Sequence, residues 1–157
     1  MSDDGKYKFK LTKNEILRGF DAFSKVLSNS KVLSSEFLKV YIQTDKLTED
    51  FKKNSESPLL RFSIKVGFII AKKRIRKSVF RNRLKRLIKE SYRLRKNSLH
   101  CQDIKVNMIF TLSEKGYNYV KLYPDVKAGF FLNEMETLIP SINKFLKKYE
   151  IRGNRFN

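Results

Sequence analysis

"VFRNRLKRLIKESYRLRK", Val79 to Lys96, sets Arg81, Arg83, Lys85, Arg86, Lys89, Arg93, Arg95 and Lys96 against one acid, Glu90. Like charges one turn apart weaken a helix unless something answers them. The apolar residues decide how the stretch folds. With Phe80 as reference and about 100° per residue, Leu84, Leu87, Ile88, Ser91 and Leu94 gather around one direction. They form a narrow stripe suited to lying on a sheet. Asn82, Lys85, Arg86, Lys89, Arg93 and Lys96 point the opposite way, with Arg81 and Arg83 on the two shoulders. Ser78 is the expected N-cap. The spacing predicts a helix with one packed face and one cationic face.

A solvated basic face usually mixes Glu with Lys at i, i+4 spacing. This one does not. It is rich in Arg, whose planar fork matches phosphate, and a helix N-terminus adds free N–H groups. Lys72, Lys73, Arg74, Arg76 and Lys77 extend the patch just ahead of the helix. The whole chain of 157 residues carries 35 Lys and Arg against 16 Asp and Glu, a net +19, with a pI near 10.1. Together these features point to a polyanion, and to nucleic acid first. A DNA-reading helix would follow a partner helix after a short turn, and here a strand pattern comes before it. A membrane-surface helix would need a broader apolar face.

Outward from the helix, both flanks alternate. In "RFSIKVGFIIAKK", Phe62, Ile64, Val66, Phe68 and Ile70 share a face, as one strand or as two with a bulge near Gly67. In "IKVNMIFTL", so do Ile104, Val106, Met108, Phe110 and Leu112. If these strands pair in parallel, the basic helix completes a β-α-β unit. "EFLKVYIQT" is a further strand, with Leu38, Val40 and Ile42 on one side and Phe37, Lys39 and Tyr41 on the other. Thr12 and Glu15 have capping-box spacing, and Ile16, Leu17, Phe20, Phe23 and Leu27 continue it as a helix over Lys13 to Leu27. Asp45 to Leu60 is polar and reads as a loop. Phe131, Met135, Leu138, Ile139, Ile142, Phe145, Leu146 and Tyr149 recur at helical spacing, and Pro140 implies a kink or two shorter helices. The result is a single α/β (α+β) domain over residues 11–150, with a basic arm at 1–10 and a tail at 151–157.

Several functions are disfavoured. With one cysteine, Cys101, no internal disulfide forms, and with one histidine, His100, a zinc site lacks ligands. No signal peptide or membrane-spanning run is visible, so the expected compartment is the cytoplasm. The paired acids Asp3/Asp4, Glu49/Asp50 and Glu134/Glu136 fall in loops or on helical surfaces, and no spacing suggests a two-metal site. No catalytic residue and no metal ligand is expected in the protein itself.

"KVGFIIAKKRIRKSVFRNRLKRLIKESYR", Lys65 to Arg93, closely resembles the signature of the bacterial ribonuclease P protein component. A strand ends in Ala-Lys-Lys, a turn follows, and Arg-Asn-Arg-x-Lys-Arg opens a helix. "KLTKNEILRGFDAFSKVL" is similar to that family's first helix. The resemblance covers about Lys10 to Leu112. It implies a small two-layer α/β sandwich of order α-β-β-β-α-β-α, with a left-handed βαβ crossover like that of ribosomal protein S5 domain 2. It implies a protein subunit without its own active site. The catalytic RNA would cut precursor tRNA at the 5′ end using magnesium held mainly by RNA. The implied RNA-binding residues are Lys72, Lys73, Arg81, Asn82, Arg83, Lys85, Arg86, Lys89 and Arg93. A cleft for the single-stranded 5′ leader would involve Phe23, Leu27 and Tyr41, with Lys85 and Lys89 along its edge. Leu27 departs from the family, where an aromatic residue is frequent. The segments 45–60 and 113–129 are longer than the family usually has. No membrane and no obligate protein partner is implied. A structural RNA-binding protein of the same architecture, such as a ribosomal protein or assembly factor, is the alternative.

Overall fold

The computed structural model describes residues 10–46, 63–100 and 104–154. Among them four strands form one sheet: β1 (Lys31–Ser34), β2 (Leu38–Lys46), β3 (Ser63–Phe68) and β4 (Ile104–Leu112), in the order β1-β2-β4-β3. The α-helices are α1 (Phe20–Ser28), α2 (Ser78–Arg95), α3 (Glu114–Leu122) and α4 (Ala128–Asn154). β1 with β2 and β2 with β4 are antiparallel, while β3 and β4 run parallel. Parallel neighbours cannot be joined by a tight turn and need a long crossover. The basic helix α2 is that crossover, so the β-α-β unit forms.

Alternation decides which residues enter the core. Leu38, Val40, Ile42, Val66, Val106, Met108, Phe110 and Leu112 are all buried on one sheet face. α2 covers that face with Leu84, Ile88, Ser91 and Tyr92, and α4 with Phe131, Met135, Leu138, Ile142 and Leu146. The packed stripe of α2 is rotated from the expected one. Tyr92 joins it, 5.5 Å from the Phe110 ring and 6.1 Å from Phe68, while Leu87 and Leu94 are only half-buried. Ser91 is tolerated there because its hydroxyl donates to the Leu87 carbonyl at 2.9 Å. Lys77, not Ser78, is the N-cap, and Ser78 is the first helical residue.

The opposite face is partly covered by α1. Leu17, Val26 and Ile109 are buried there, with Phe23, Tyr41 and Ile69 packed around them. The first helix is shorter than its periodicity predicts. The capping box does form, with the Thr12 N–H donating to Glu15 Oε2 at 2.7 Å, but it starts only a 3-10 turn, Lys13–Glu15. Ile16 then bridges to Val66, and the Leu17 N–H donates to the Val66 carbonyl at 2.9 Å. β3 is the sheet edge, and its unpaired backbone competes with the helix for this segment. Gly19, at φ 92, turns the chain back into α1.

Gly67 marks no bulge, because β3 pairs with β4 without interruption from Ser63 to Phe68. It is a close approach. A Cβ there would stand 2.5 Å from Cζ of Phe23, so the absent side chain lets α1 sit down on the sheet. β2 runs to Lys46, which faces Ile104, so Asp45 and Lys46 belong to the strand and not to the expected loop. The remainder of that loop and the N-terminal arm through residue 9 lie outside the described residues, as do Cys101 and the end of the tail. α4 is one continuous helix through Pro140 rather than two. Pro140 is exposed, on the solvent side where its missing backbone bond is least costly.

The front of the molecule is tied together by one ionic contact. Lys96, just past α2, donates to Glu15 at 2.7 Å and also to the Lys10 carbonyl. Burial pushes the Glu15 carboxyl up, but the hydrogen bonds from Lys96 and Thr12 together outweigh it and hold the group below the usual glutamate value. A lowered folded value means the stabilisation is complete above the ordinary carboxylate range and is lost as pH falls through the folded value. The expected outcome is that acidification lowers the urea midpoint less steeply in Glu15→Gln than in the native chain. Parallel acid profiles would show that the contact contributes nothing.

Candidate nucleic-acid interface

The turn between β3 and α2 is built before it is charged. Ile75 is buried and anchors it. The Ala71 N–H donates to Tyr117 Oη at 2.9 Å, and that hydroxyl also contacts Thr111 Oγ1 at 3.1 Å. Arg74 lies over the Tyr117 ring at 4.7 Å and binds Glu114 through two nitrogens, at 2.7 and 2.8 Å. This pair holds the Arg74 guanidinium above and the Glu114 carboxyl below their usual values. Lys72 and Lys73 stand exposed on the turn so held.

The arginines of the basic motif divide their work. Arg81 donates to the carbonyls of Ile75 and Arg76, at 2.9 and 2.6 Å, and closes the turn onto the helix. Arg83 donates to the carbonyls of Pro124 and Val126, at 2.8 and 2.7 Å. Both sit half-buried. Arg83 spends both terminal nitrogens on main-chain oxygens, whereas Arg81 makes both of its bonds through Nη1 alone. Arg93 is paired with Glu90 at 2.5 Å, and the contact lowers the Glu90 carboxyl. Arg95 reaches Glu136 on α4, also at 2.5 Å. Asn82, Arg86 and Lys89 are exposed and Lys85 is half-buried. Among the described residues, Lys72, Lys73, Lys85, Arg86 and Lys89 have no carboxylate within ion-pair distance. The same holds for exposed Arg76 and Lys77 at the end of the turn, and together these residues carry the outward charge.

A family model described as Ribonuclease P matches residues 11–131. The chain belongs to the ribonuclease P protein family. Its relatives include the ribonuclease P protein components of Chlorobium phaeobacteroides, 36% identical over 68% of this chain and 60% of the relative, and of Caldanaerobacter subterraneus, 30% identical over 88% of this chain and 90% of the relative. The match thus spans about three-fifths of the length of the Chlorobium relative. Two solved structures share the fold. The RNase P protein of Staphylococcus aureus has a TM-score of 0.55 at 17% identity, covering 85% of this chain and 99% of that one. The protein from Thermotoga maritima has a TM-score of 0.54 at 18% identity, covering 80% and 94%.

In this ribonuclease P family chain, the residues expected to form the leader cleft do come together on the face under α1. Phe23 is half-buried over Gly67. Tyr41 is half-buried beside it, with Lys39 Nζ 5.1 Å from its ring centre. Leu27 is 43% exposed. Val32, directly opposite Tyr41 in the register and equally exposed, was not anticipated. Lys85, Lys89 and Lys96 recur at four- and seven-residue spacing on one shoulder of α2, the shoulder that reaches Glu15 in front of α1.

Several of the described acids serve the scaffold. Glu134 accepts from Ser35 Oγ at 2.5 Å and from the Phe37 N–H at 2.9 Å, which pins the β1–β2 turn to α4. Among the described residues, no group of His, Cys, Asp and Glu gathers to fit a metal ion. No described helix is long and apolar enough to cross a membrane. Sequence reading also missed α3. The long 113–129 segment contains a helix capped by Ser113, which accepts from the Gly116 N–H at 3.1 Å; Arg74 fastens its start and Arg83 the loop after it.

Removing Arg83 should therefore act on stability. Arg83→Ala leaves two carbonyls without a charged donor and is expected to cost about 1–3 kcal/mol in urea unfolding. Arg86→Ala should stay within about 0.5 kcal/mol. Equal stabilities for the two variants would contradict this division.

Proposed function

We propose that this chain is the protein subunit of a ribonuclease P ribonucleoprotein working in the cytoplasm. The outward face of α2 and the Lys72–Lys73 turn bind the catalytic RNA. The face under α1 binds the single-stranded 5′ leader of precursor tRNA. Cleavage belongs to the RNA, with magnesium held mainly by its phosphates. What carries the reading is a cationic crossover helix, whose single acid, Glu90, is paired with Arg93, inside a family match of residues 11–131. Glu15, Glu90, Glu114, Glu134 and Glu136 each hold a partner within the protein.

Reconstitution tests it. Mixed with a ribonuclease P RNA at low magnesium, the protein should promote 5′ cleavage of precursor tRNA, and alone it should cleave nothing. Each phosphate contact releases condensed counterions, so affinity for the RNA should fall steeply with salt. Replacing Lys85, Arg86 and Lys89 together with Ala should flatten the log–log salt slope by roughly two to three units. The fold should persist, because Leu84 and Ile88 still pack and Ala favours helix. An unchanged slope in the folded variant would mean that these charges merely face water.

The cleft has its own signature. Stacking on an aromatic ring contributes roughly 1–3 kcal/mol per base. Tyr41→Ala should weaken binding of leader-bearing precursor well beyond any change for mature tRNA. Equal losses for both ligands would assign Tyr41 to the scaffold instead.

A further inference from the structure

Arg83 holds the loop after α3 through carbonyls and not through a carboxylate. Its charge is therefore fixed in place without being neutralised. On the outside of that loop stands Tyr123, 59% exposed, next to Leu122, 75% exposed. Val79, 78% exposed, lies one turn before Arg83 on α2, and Arg86 lies one turn after it. Apolar side chains this open, grouped around one arginine, suggest a contact surface.

Tyr123 is not a loose side chain. Its ring lies 4.9 Å from Tyr119, which stacks on Phe130 at 4.6 Å with 2° between the planes. Phe37 closes the cluster, 5.0 Å from Tyr119 and 4.9 Å from Phe130. Tyr123 is the exposed end of a fixed group of rings. Exposed Lys121 and Lys127 flank it, and Asp125 is the single acid between Tyr119 and Ala128. A rigid ring bordered by cations fits an unpaired base with its phosphates better than it fits a neutral protein surface. Arg83 of the basic helix holds the carbonyl of Pro124, the residue that follows Tyr123.

We propose that Tyr123 stacks an unpaired base of the RNA subunit, so that the α3 loop continues the RNA contact begun on α2. The proposal rests on the RNA-subunit reading above. It concerns a surface on the shoulder of α2 opposite Lys85, Lys89 and the leader cleft.

The test measures binding of the full chain to a ribonuclease P RNA across a salt series. Tyr123→Ala should weaken binding at least about fivefold, the weak end of what stacking one base contributes. Its salt slope should be unchanged, since no phosphate contact is lost. Tyr123→Phe should bind as the native chain does. Tyr123→Leu, which keeps apolar cover over Tyr119, should bind as Tyr123→Ala does. Native affinity in the Leu variant would mean plain packing, and a loss in the Phe variant would mean a hydroxyl contact. Either result overturns the stacking proposal, as does a change in self-association of Tyr123→Ala seen by sedimentation. If Tyr123→Ala binds normally while the Lys85/Arg86/Lys89 variant is weakened, the Tyr123 proposal fails and the RNA-subunit reading stands. If neither variant is affected, both fail.

Discussion

β3 and β4 run parallel, and that pairing imposes the rest of the arrangement. Adjacent parallel strands leave the chain at opposite ends, so it must travel the length of the sheet before pairing again. The segment that makes the journey is α2. It sheds water where it meets the sheet and α4, through Leu84, Ile88, Ser91 and Tyr92. Every remaining position must face outward or sideways. A sequence that loads those positions with Lys and Arg therefore concentrates its charge on one ridge.

The positive charges are not equivalent. Arg74, Arg81 and Arg83 are bound to acceptors within the protein, and all three brace the turn or the inserted helix. A guanidinium suits this task because its fork reaches two carbonyls at once and stays charged. Two of the three are held by neutral oxygens, so they build the scaffold without removing positive potential from it. The outward cations are mostly lysines. They have flexible stems and compact charges, which suit a phosphate surface whose spacing varies.

Aromatic residues follow a similar division. Tyr92, Phe68 and Phe110 meet in the core. Phe23 and Tyr41 sit half-open on the other sheet face, where the missing side chain of Gly67 makes room for α1. Tyr119, Tyr123, Phe130 and Phe37 form a third group, reached only because α3 is fastened at its start and in the loop after it. The chain thus offers half-open or exposed rings on two separate surfaces, the sheet face under α1 and the loop after α3.

Much of this was legible in the residues. Strict alternation identified the buried faces of β2, β3 and β4, and helical spacing identified Leu84, Ile88 and Ser91 of the α2 stripe though not Tyr92, because both patterns repeat over a few residues and depend on local geometry. The Lys-Lys and Arg-Asn-Arg-x-Lys-Arg motif pointed to the family for the same reason. What the sequence could not settle depends on partners far along the chain. The first helix looked continuous, but the edge of β3 draws Ile16 and Leu17 into pairing with Val66. β1 is four residues long and mostly exposed, so it carries no alternation to read. The hold of Arg83 on the loop after α3 could not be read either, because its acceptors lie some forty residues on, in a loop whose position only the packed fold decides. Periodicity records which face of an element meets the core. It does not record which element arrives on the other face, because that is set by the competition of all segments for the same backbone groups and the same apolar surface.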